Sequence, residues 1–190
     1  MATTQPIRDK KQTKALAKYF LDKGEIRNYV MVVFAMHTGL RISDILRLTW
    51  DDVYDFELNE IRDFVIITEK KTGKSKTIRF GEKVLKSLRL YAHNARQGCF
   101  LIGNSQTSKA ISRIQAYRII RKAAETLKFT IRVSCHSLRK TFGYHAWKGG
   151  ASPVVIMEIF NHSSFDVTKR YIGISQDDKD IVYLTVKLVA

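Results

Sequence analysis

His136 and Arg139 stand three residues apart in the stretch Cys135-His136-Ser137-Leu138-Arg139-Lys140-Thr141-Phe142. On a helix they share one face. An imidazole beside a guanidinium suits a phosphate, because the first can move a proton and the second grips two oxygens in a fixed fork. The pair is also compatible with a plain helix start and a surface arginine, so its weight rests on what other chemistry the chain carries. Cys135 beside His136 invites a thiol-nucleophile reading, but no third group completes that arrangement. Neither a His-x-x-x-His pair nor a carboxylate cluster points to a metal.

The elements that must position this pair follow from periodicity and punctuation. Residues 1–11 are polar and expected to be loose. A short helix is predicted from about Gln12 to Leu21, ended near Gly24. A more buried one, capped by Asn28, runs through Tyr29 to Met36 and closes at Gly39. Ser43 is expected to cap a third helix carrying Ile45, Leu46 and Leu48, which leaves Arg41 in a turn where its side chain can reach a cleft. Residues 63–68 and 75–80 read as strands, rich in β-branched and aromatic residues, joined by a hairpin loop over 69–74. A short strand around 52–56 is expected to complete that sheet. Helices are then predicted over 82–95, over 108–127 with Ile111, Ile114, Ile119 and Ile120 buried, and over 136–147 up to the Gly149-Gly150 pair. Ser152-Pro153 starts another helix, residues 165–172 form one more, and an apolar last helix spans 180–189. The fold class is mainly α with a small antiparallel β-sheet, that is α+β, in one domain over residues 1–190.

The charge narrows the partner. The 190 residues carry a formal net charge of +15. From Asn161 onward four basic residues (Lys169, Arg170, Lys179, Lys187) balance four acidic ones (Asp166, Asp177, Asp178, Asp180), so the excess lies in residues 1–160. Such a balance favours a polyanion, nucleic acid ahead of a membrane surface. An apolar content of 45% argues against disorder. The longest apolar run, Tyr29 to Met36, is too short to cross a bilayer, and the N-terminus lacks the apolar core of a signal peptide. With two cysteines, reduced thiols in a cytoplasm are expected.

Five segments taken together point to a family: Thr38-Gly39-Leu40-Arg41-Ile42-Ser43-Asp44, a lysine in a β-hairpin, His136-Ser137-Leu138-Arg139, Asn161-His162-Ser163, and Tyr171 nine residues after His162. In this order they strongly resemble the tyrosine recombinases, or phage integrase family, over roughly residues 9–171. The resemblance implies that family's catalytic-domain fold. It implies a phosphate clamp of Arg41 and Arg139 with His136 between them, His162 at the later His-or-Trp position, and Tyr171 as nucleophile. Lys71 is the expected hairpin lysine, and Asp44 falls where the family has a supporting acidic residue. Lys70, Lys74, Lys76 and Arg79 are expected to touch DNA.

The chemistry of each residue agrees with these roles. A phosphodiester repels nucleophiles, and two arginines on its non-bridging oxygens supply fixed electrostatic stabilisation. A tyrosine hydroxyl must lose a proton on attack, and His136 can receive it. A lysine with its pKa lowered by cationic neighbours can give a proton to the departing 5′ oxygen. The covalent phosphotyrosine conserves the bond energy, so neither ATP, metal nor other cofactor is expected.

The resemblance implies a site-specific recombinase, bacterial or phage-encoded, acting on double-stranded DNA. It implies a homo-oligomer, a tetramer, on DNA and a monomer when free, with residues 175–190 exchanged between protomers and accessory DNA-bending proteins as further partners. Two departures stand out: Asn161 replaces a usual glycine, and the chain begins almost at the catalytic domain, so the family's N-terminal core-binding domain is expected to be absent. The competing functions are a type IB topoisomerase-like nicking and closing activity, and a DNA-binding regulator without turnover.

Overall fold

The computed structural model describes residues 4–68, 73, 75–104, 107, 109–174 and 183–185. Its centre is helix α2 (Ile26–Thr38), preceded by α1 (Lys10–Asp22). Every residue of α2 from Val30 to Met36 is buried, as expected of a helix that is apolar on all sides. It ends where Gly39 turns left-handed (φ 64°), a conformation that glycine adopts without steric cost. A Cβ there would lie 2.5 Å from Phe142 Cδ1. Helix α3 (Ile42–Ile45) follows, with Arg41 rather than Ser43 at its N-cap. Asn28 likewise lies inside α2, bonded to Glu25 and Arg27, while Glu25 holds the cap position.

Helix α4 (Trp50–Val53) takes the first two residues of the strand expected over 52–56, leaving a strand only at Tyr54–Asp55; Thr49 and Asp52 close a capping box around the helix start. The sheet is therefore split in two. Strands β1 (Tyr54–Asp55) and β2 (Glu60–Ile61) form one antiparallel pair, and β3 (Phe64–Thr68) and β4 (Ser75–Arg79) form another, with Val65 facing Ile78. Two-stranded pairs of this size are marginal alone. Val65 and Ile67 stabilise β3 by turning into the core while Phe64, Ile66 and Thr68 face out.

Helix α5 (Glu82–Tyr91) packs on α2. Helix α6 (Arg113–Thr126) starts later than the periodicity suggests, at a Ser112–Gln115 capping box. Ile114 consequently points outward and is 62% exposed, whereas Ile111 and Ile120 are buried as expected. Helix α7 (Cys135–Lys148) lies against α2, and α8 (Pro153–Phe160) and α9 (Phe165–Ile172) pack on α7 and on each other. Ser152 caps α8 with Pro153 at its first position.

The expectation of a loose N-terminus is overturned for its described part. Ile7 is fully buried, its N–H donates to Thr141 Oγ1 at 2.9 Å, and α1 already begins at Lys10 behind an Asp9 cap. A single large apolar side chain with a partner for its amide is enough to anchor a polar segment. Residues 183–185 are helical, with Tyr183 and Leu184 exposed; the rest of the helix expected over 180–189 lies outside the described residues. None of the described helices is long and apolar enough to cross a membrane.

Candidate active site

The site is built where α8 ends. The last carbonyls of any helix lack intrahelical donors, and the C-terminus carries the negative end of the helix dipole. Three cations from three elements meet that end. Arg139 Nη2, from α7, donates to the Phe160 carbonyl at 2.9 Å. Arg41 Nη2, from the start of α3, lies 3.5 Å from the same oxygen. Lys76 Nζ, from β4, donates to the Ile159 carbonyl at 3.1 Å. Gathering like charges is unfavourable, and the α8 carbonyls offset that repulsion.

Arg139 is the most firmly held of the three. Only 2% of it is exposed. Nη1 donates to the Gly39 carbonyl at 2.6 Å, and the guanidinium lies 4.4 Å from the centroid of the Phe160 ring. It also hydrogen-bonds Tyr171. Three such bonds fix the plane of a group that has five N–H donors. The left-handed turn at Gly39 thus does two things: it ends α2 and aims a carbonyl at the clamp. Asp44, in α3, is buried at 2% exposure.

Tyr171 sits on α9 in an aromatic and cationic pocket. Its ring centroid is 4.9 Å from that of His162 and 5.3 Å from that of Phe160, both edge-on. Lys140 Nζ lies 5.1 Å from the Tyr171 centroid. Burial pushes the Tyr171 hydroxyl up from its ordinary pKa, while the charge and hydrogen bond of Arg139 and the charge of Arg41 pull it back. The hydroxyl is therefore protonated at rest, and the two arginines favour its anion.

His162 follows Asn161, whose φ of 51° places it in the left-handed region at the α8 C-cap. Asparagine tolerates that conformation better than other non-glycine residues, so the departure from glycine keeps the turn. The His162 Nδ1 faces Thr168 Oγ1 at 3.0 Å. Thr168 is fully buried, and its hydroxyl donates to the Ser164 carbonyl at 3.5 Å. The ring is thereby oriented against Tyr171.

His136 is the second residue of α7 and is exposed as a residue, with its ring partly desolvated. Burial, joined by the positive charges of Arg139, Lys140 and Arg41, holds its imidazole below the usual histidine range. At neutral pH it is the free base, able to take a proton. Cys135 beside it is pushed up to about 11 by burial, which leaves a thiol and not a thiolate. Of the other histidines, His37 bonds the Val33 carbonyl and His145 the Ile7 carbonyl.

The structure thus leaves Asp44 buried in α3 and brings Arg41, His136, Arg139, His162 and Tyr171 around one helix end. Lys76 joins them, whereas Arg79 takes the opposite face of β4 and pairs with Asp63 at 3.0 Å. Strand alternation separates the two: Lys76 and Ile78 are half-buried, and Ser75, Thr77 and Arg79 are exposed. Lys70, Lys71 and Lys74 lie outside the described residues. Lys140, Thr168 and the Phe160 carbonyl were not foreseen. Only the spacing of Lys140, four residues after His136, hinted that it shares the site face.

A mostly helical domain with this cluster matches one class of protein, and the chain belongs to the phage integrase family, whose model matches residues 8–177. A probable integrase/recombinase of Bacillus subtilis, YoeC, is 37% identical over 183 residues, covering 96% of this chain and 97% of that protein. The tyrosine recombinase XerD of Corynebacterium glutamicum is 30% identical over 161 residues, covering 80% of this chain and 50% of its own length. The chain therefore spans nearly all of the first relative and about half of the second. The fold is that of the XerA recombinase crystal structure, with a TM-score of 0.78 at 19% identity over 99% of this chain and 68% of that one. A lambda integrase dimer bound to a COC′ core site has a TM-score of 0.71 at 14% identity, covering 100% of this chain and 53% of its own.

Proposed function

We propose that this chain is a site-specific DNA recombinase, bacterial or phage-encoded and cytoplasmic, that cuts and rejoins duplex DNA through a 3′-phosphotyrosyl intermediate. The observation that carries the proposal is the convergence of Arg139 and Arg41 on the Phe160 carbonyl directly beside the Tyr171 ring. A phosphodiester entering there meets two guanidiniums on its non-bridging oxygens, and the charge that builds on attack is met by donors already oriented.

The Tyr171 oxygen attacks phosphorus, the bond from phosphorus to the 5′ oxygen breaks, and a phosphotyrosyl ester forms. The phenolic proton passes to His136, which desolvation and the surrounding cations keep neutral. The leaving 5′ oxygen takes a proton from a hairpin lysine, Lys71. Lys76, whose ammonium is anchored beside the arginines, adds positive charge to the same pocket. Attack by a 5′ hydroxyl on the phosphotyrosyl ester reverses every step and reseals the strand. The excess of positive charge in residues 1–160 supports duplex DNA as the partner. A tetramer on DNA, helped by DNA-bending proteins, is the assembly proposed, with the segment after residue 174 exchanged between protomers.

The test is to incubate the protein in EDTA with a pool of nicked suicide duplexes carrying randomised sequence around the nick, and to capture adducts that survive detergent. Adducts on a shared sequence are expected, and they should vanish in Tyr171→Phe. Binding to the pool without any adduct would leave a DNA-binding protein in place of a recombinase.

A further inference from the structure

The segment before α1 lies across both helices that carry the reacting groups. Its Ile7 is fully buried, and three backbone positions are tied down. The Ile7 amide donates to Thr141 Oγ1 at 2.9 Å, and Thr141 in turn donates to the Ser137 carbonyl at 2.7 Å. The Ile7 carbonyl accepts from His145 Nε2 at 3.0 Å. The Thr4 carbonyl accepts from Lys140 Nζ at 2.6 Å, the ammonium that faces the Tyr171 ring. All of these partners lie on α7.

Arg8 reaches further, to α9. Its Nη2 donates to the Gly173 carbonyl at 2.7 Å, and its guanidinium lies 5.3 Å from the Tyr144 centroid. Gly173 is the left-handed cap of α9, two residues after Tyr171. An eight-residue helix is too short to hold its last turn by its own hydrogen bonds, and a cation at its C-terminus is favourable. A Cβ added at the same glycine would meet Pro6 Cδ at 3.6 Å. The last turn of α9, with Tyr171 in it, is thus clamped between Ile172 buried below and Arg8 across its end.

We propose that Arg8 is a positioning residue for Tyr171, and that residues 4–8 act as a strap joining the end of the nucleophile helix to α7. A nucleophile must sit within a fraction of an ångström of its line of attack, and a misplacement of about 1 Å costs on the order of a hundredfold in rate. Arg8 touches neither the phosphate clamp nor Tyr171 itself. Its loss is therefore expected to slow the attack and leave DNA affinity alone. Lys140 completes the strap from the other side, because the ammonium that binds Thr4 also lies over the tyrosine ring.

The proposal rests on Tyr171 being the nucleophile, so its test has two arms. In the first, the whole chain with Arg8→Ala or Arg8→Lys is compared with wild type in single-turnover adduct formation at saturating DNA, on the duplex sequence recovered by adduct capture. Adduct formation should slow about tenfold in Arg8→Ala, DNA affinity should stay within about twofold, and Arg8→Lys, which keeps one donor for Gly173, should recover most of the rate. In the second arm, hydrogen exchange of the DNA-free proteins is followed over residues 165–174. Faster exchange in Arg8→Ala, reversed in Arg8→Lys, is expected whether or not any adduct forms. Wild-type rate and wild-type exchange in Arg8→Ala would overturn the proposal. So would a parallel loss of rate, affinity and global melting temperature that Arg8→Lys does not restore. If wild type forms no adduct while the exchange arm behaves as expected, the strap stands as a structural tie of α9 to the N-terminal segment and it is the recombinase reading that falls.

Discussion

The proposed phosphate clamp and the proposed nucleophile are carried by cores of very different size. Arg41 and Arg139 spring from elements rooted in the main core, where Val30 to Met36, Leu40, Ile45 and Leu138 are all buried. Tyr171 belongs to a satellite of three buried residues, Ile156, Phe160 and Ile172, on two eight-residue helices. The main core holds its cations in place by packing on every side. The satellite is held mainly at its contact with α7 and by polar ties, namely the α8 carbonyls to Arg139 and Lys76 and the Gly173 carbonyl to Arg8. Local stability follows buried contact, and moving parts come from its low end. The difference teaches that the proposed clamp is fixed by packing, whereas the position of the proposed nucleophile rests on a few hydrogen bonds.

The largest effect is expected where the two regions are joined. Arg139→Met removes the donor of two buried carbonyls, Gly39 and Phe160. Each buried acceptor left unpaired costs about 1–3 kcal/mol, and losing the clamp should lower adduct formation on the order of 10²–10³-fold. Urea titration and single-turnover cleavage read the two losses. A variant with wild-type stability would show that the carbonyls find other donors, and that the satellite does not depend on Arg139.

Gly143→Ala tests the apolar seam. A Cβ at Gly143 would lie 2.6 Å from Phe160 Cε2 and 2.7 Å from Ile172 Cγ2, closer than real side chains approach. The overpacking should cost about 1–3 kcal/mol and be spent in the satellite. Hydrogen exchange should rise over α8 and α9 and stay unchanged over α2. Equal loss of protection in both regions would make the molecule one cooperative unit and dissolve the contrast.

Acid should act on the opposite side of the comparison. His37, His136 and His145, on α2 and α7, are all held below the usual histidine range, chiefly by burial. As pH falls through about 6.5 the unfolded chain protonates these groups before the folded one does. The unfolded state then binds more protons, so stability is full above that pH and declines below it, down to the folded-state pKa values. A melting temperature that falls steadily between pH 7.5 and pH 5.5 is expected; one that is flat or rising contradicts the lowered imidazole pKa values.

The smallest effect is local. Asn161→Gly should change stability by a few tenths of a kcal/mol, because glycine is at ease with the left-handed cap. Asn161→Ala, which has no such ease, should cost about 1 kcal/mol. Thermal melting of both variants separates them, and equal values would mean that the cap relaxes out of the left-handed region.

Much of the fold was legible because its signals are local. Gly39 ending α2, Ser152-Pro153 opening α8 and the alternation in β3 each depend on neighbours within a turn or two. The misreadings were local too: at 52–53 the Thr49–Asp52 box won over β-propensity and shortened the expected strand to 54–55, and the start of α6 slid to Ser112, turning Ile114 outward. The residues that the structure gathers at the end of α8 were named from the order and spacing of the motifs. Thr168 and Lys140 were not, since a threonine and a lysine on helices carry no mark of what faces them.

The sequence by itself determined the charge balance, the order of the elements and the identity of the groups that can handle a phosphate. Those follow from composition, periodicity and short-range spacing. Only the tertiary structure decided that three cations share the end of α8, that Arg79 turns away while Lys76 turns in, and that a polar N-terminal segment straps α9. Arg139 meets Gly39 across 100 residues and Arg8 meets Gly173 across 165. No local period encodes such meetings, because they exist only once packing around α2 has brought distant helix ends together.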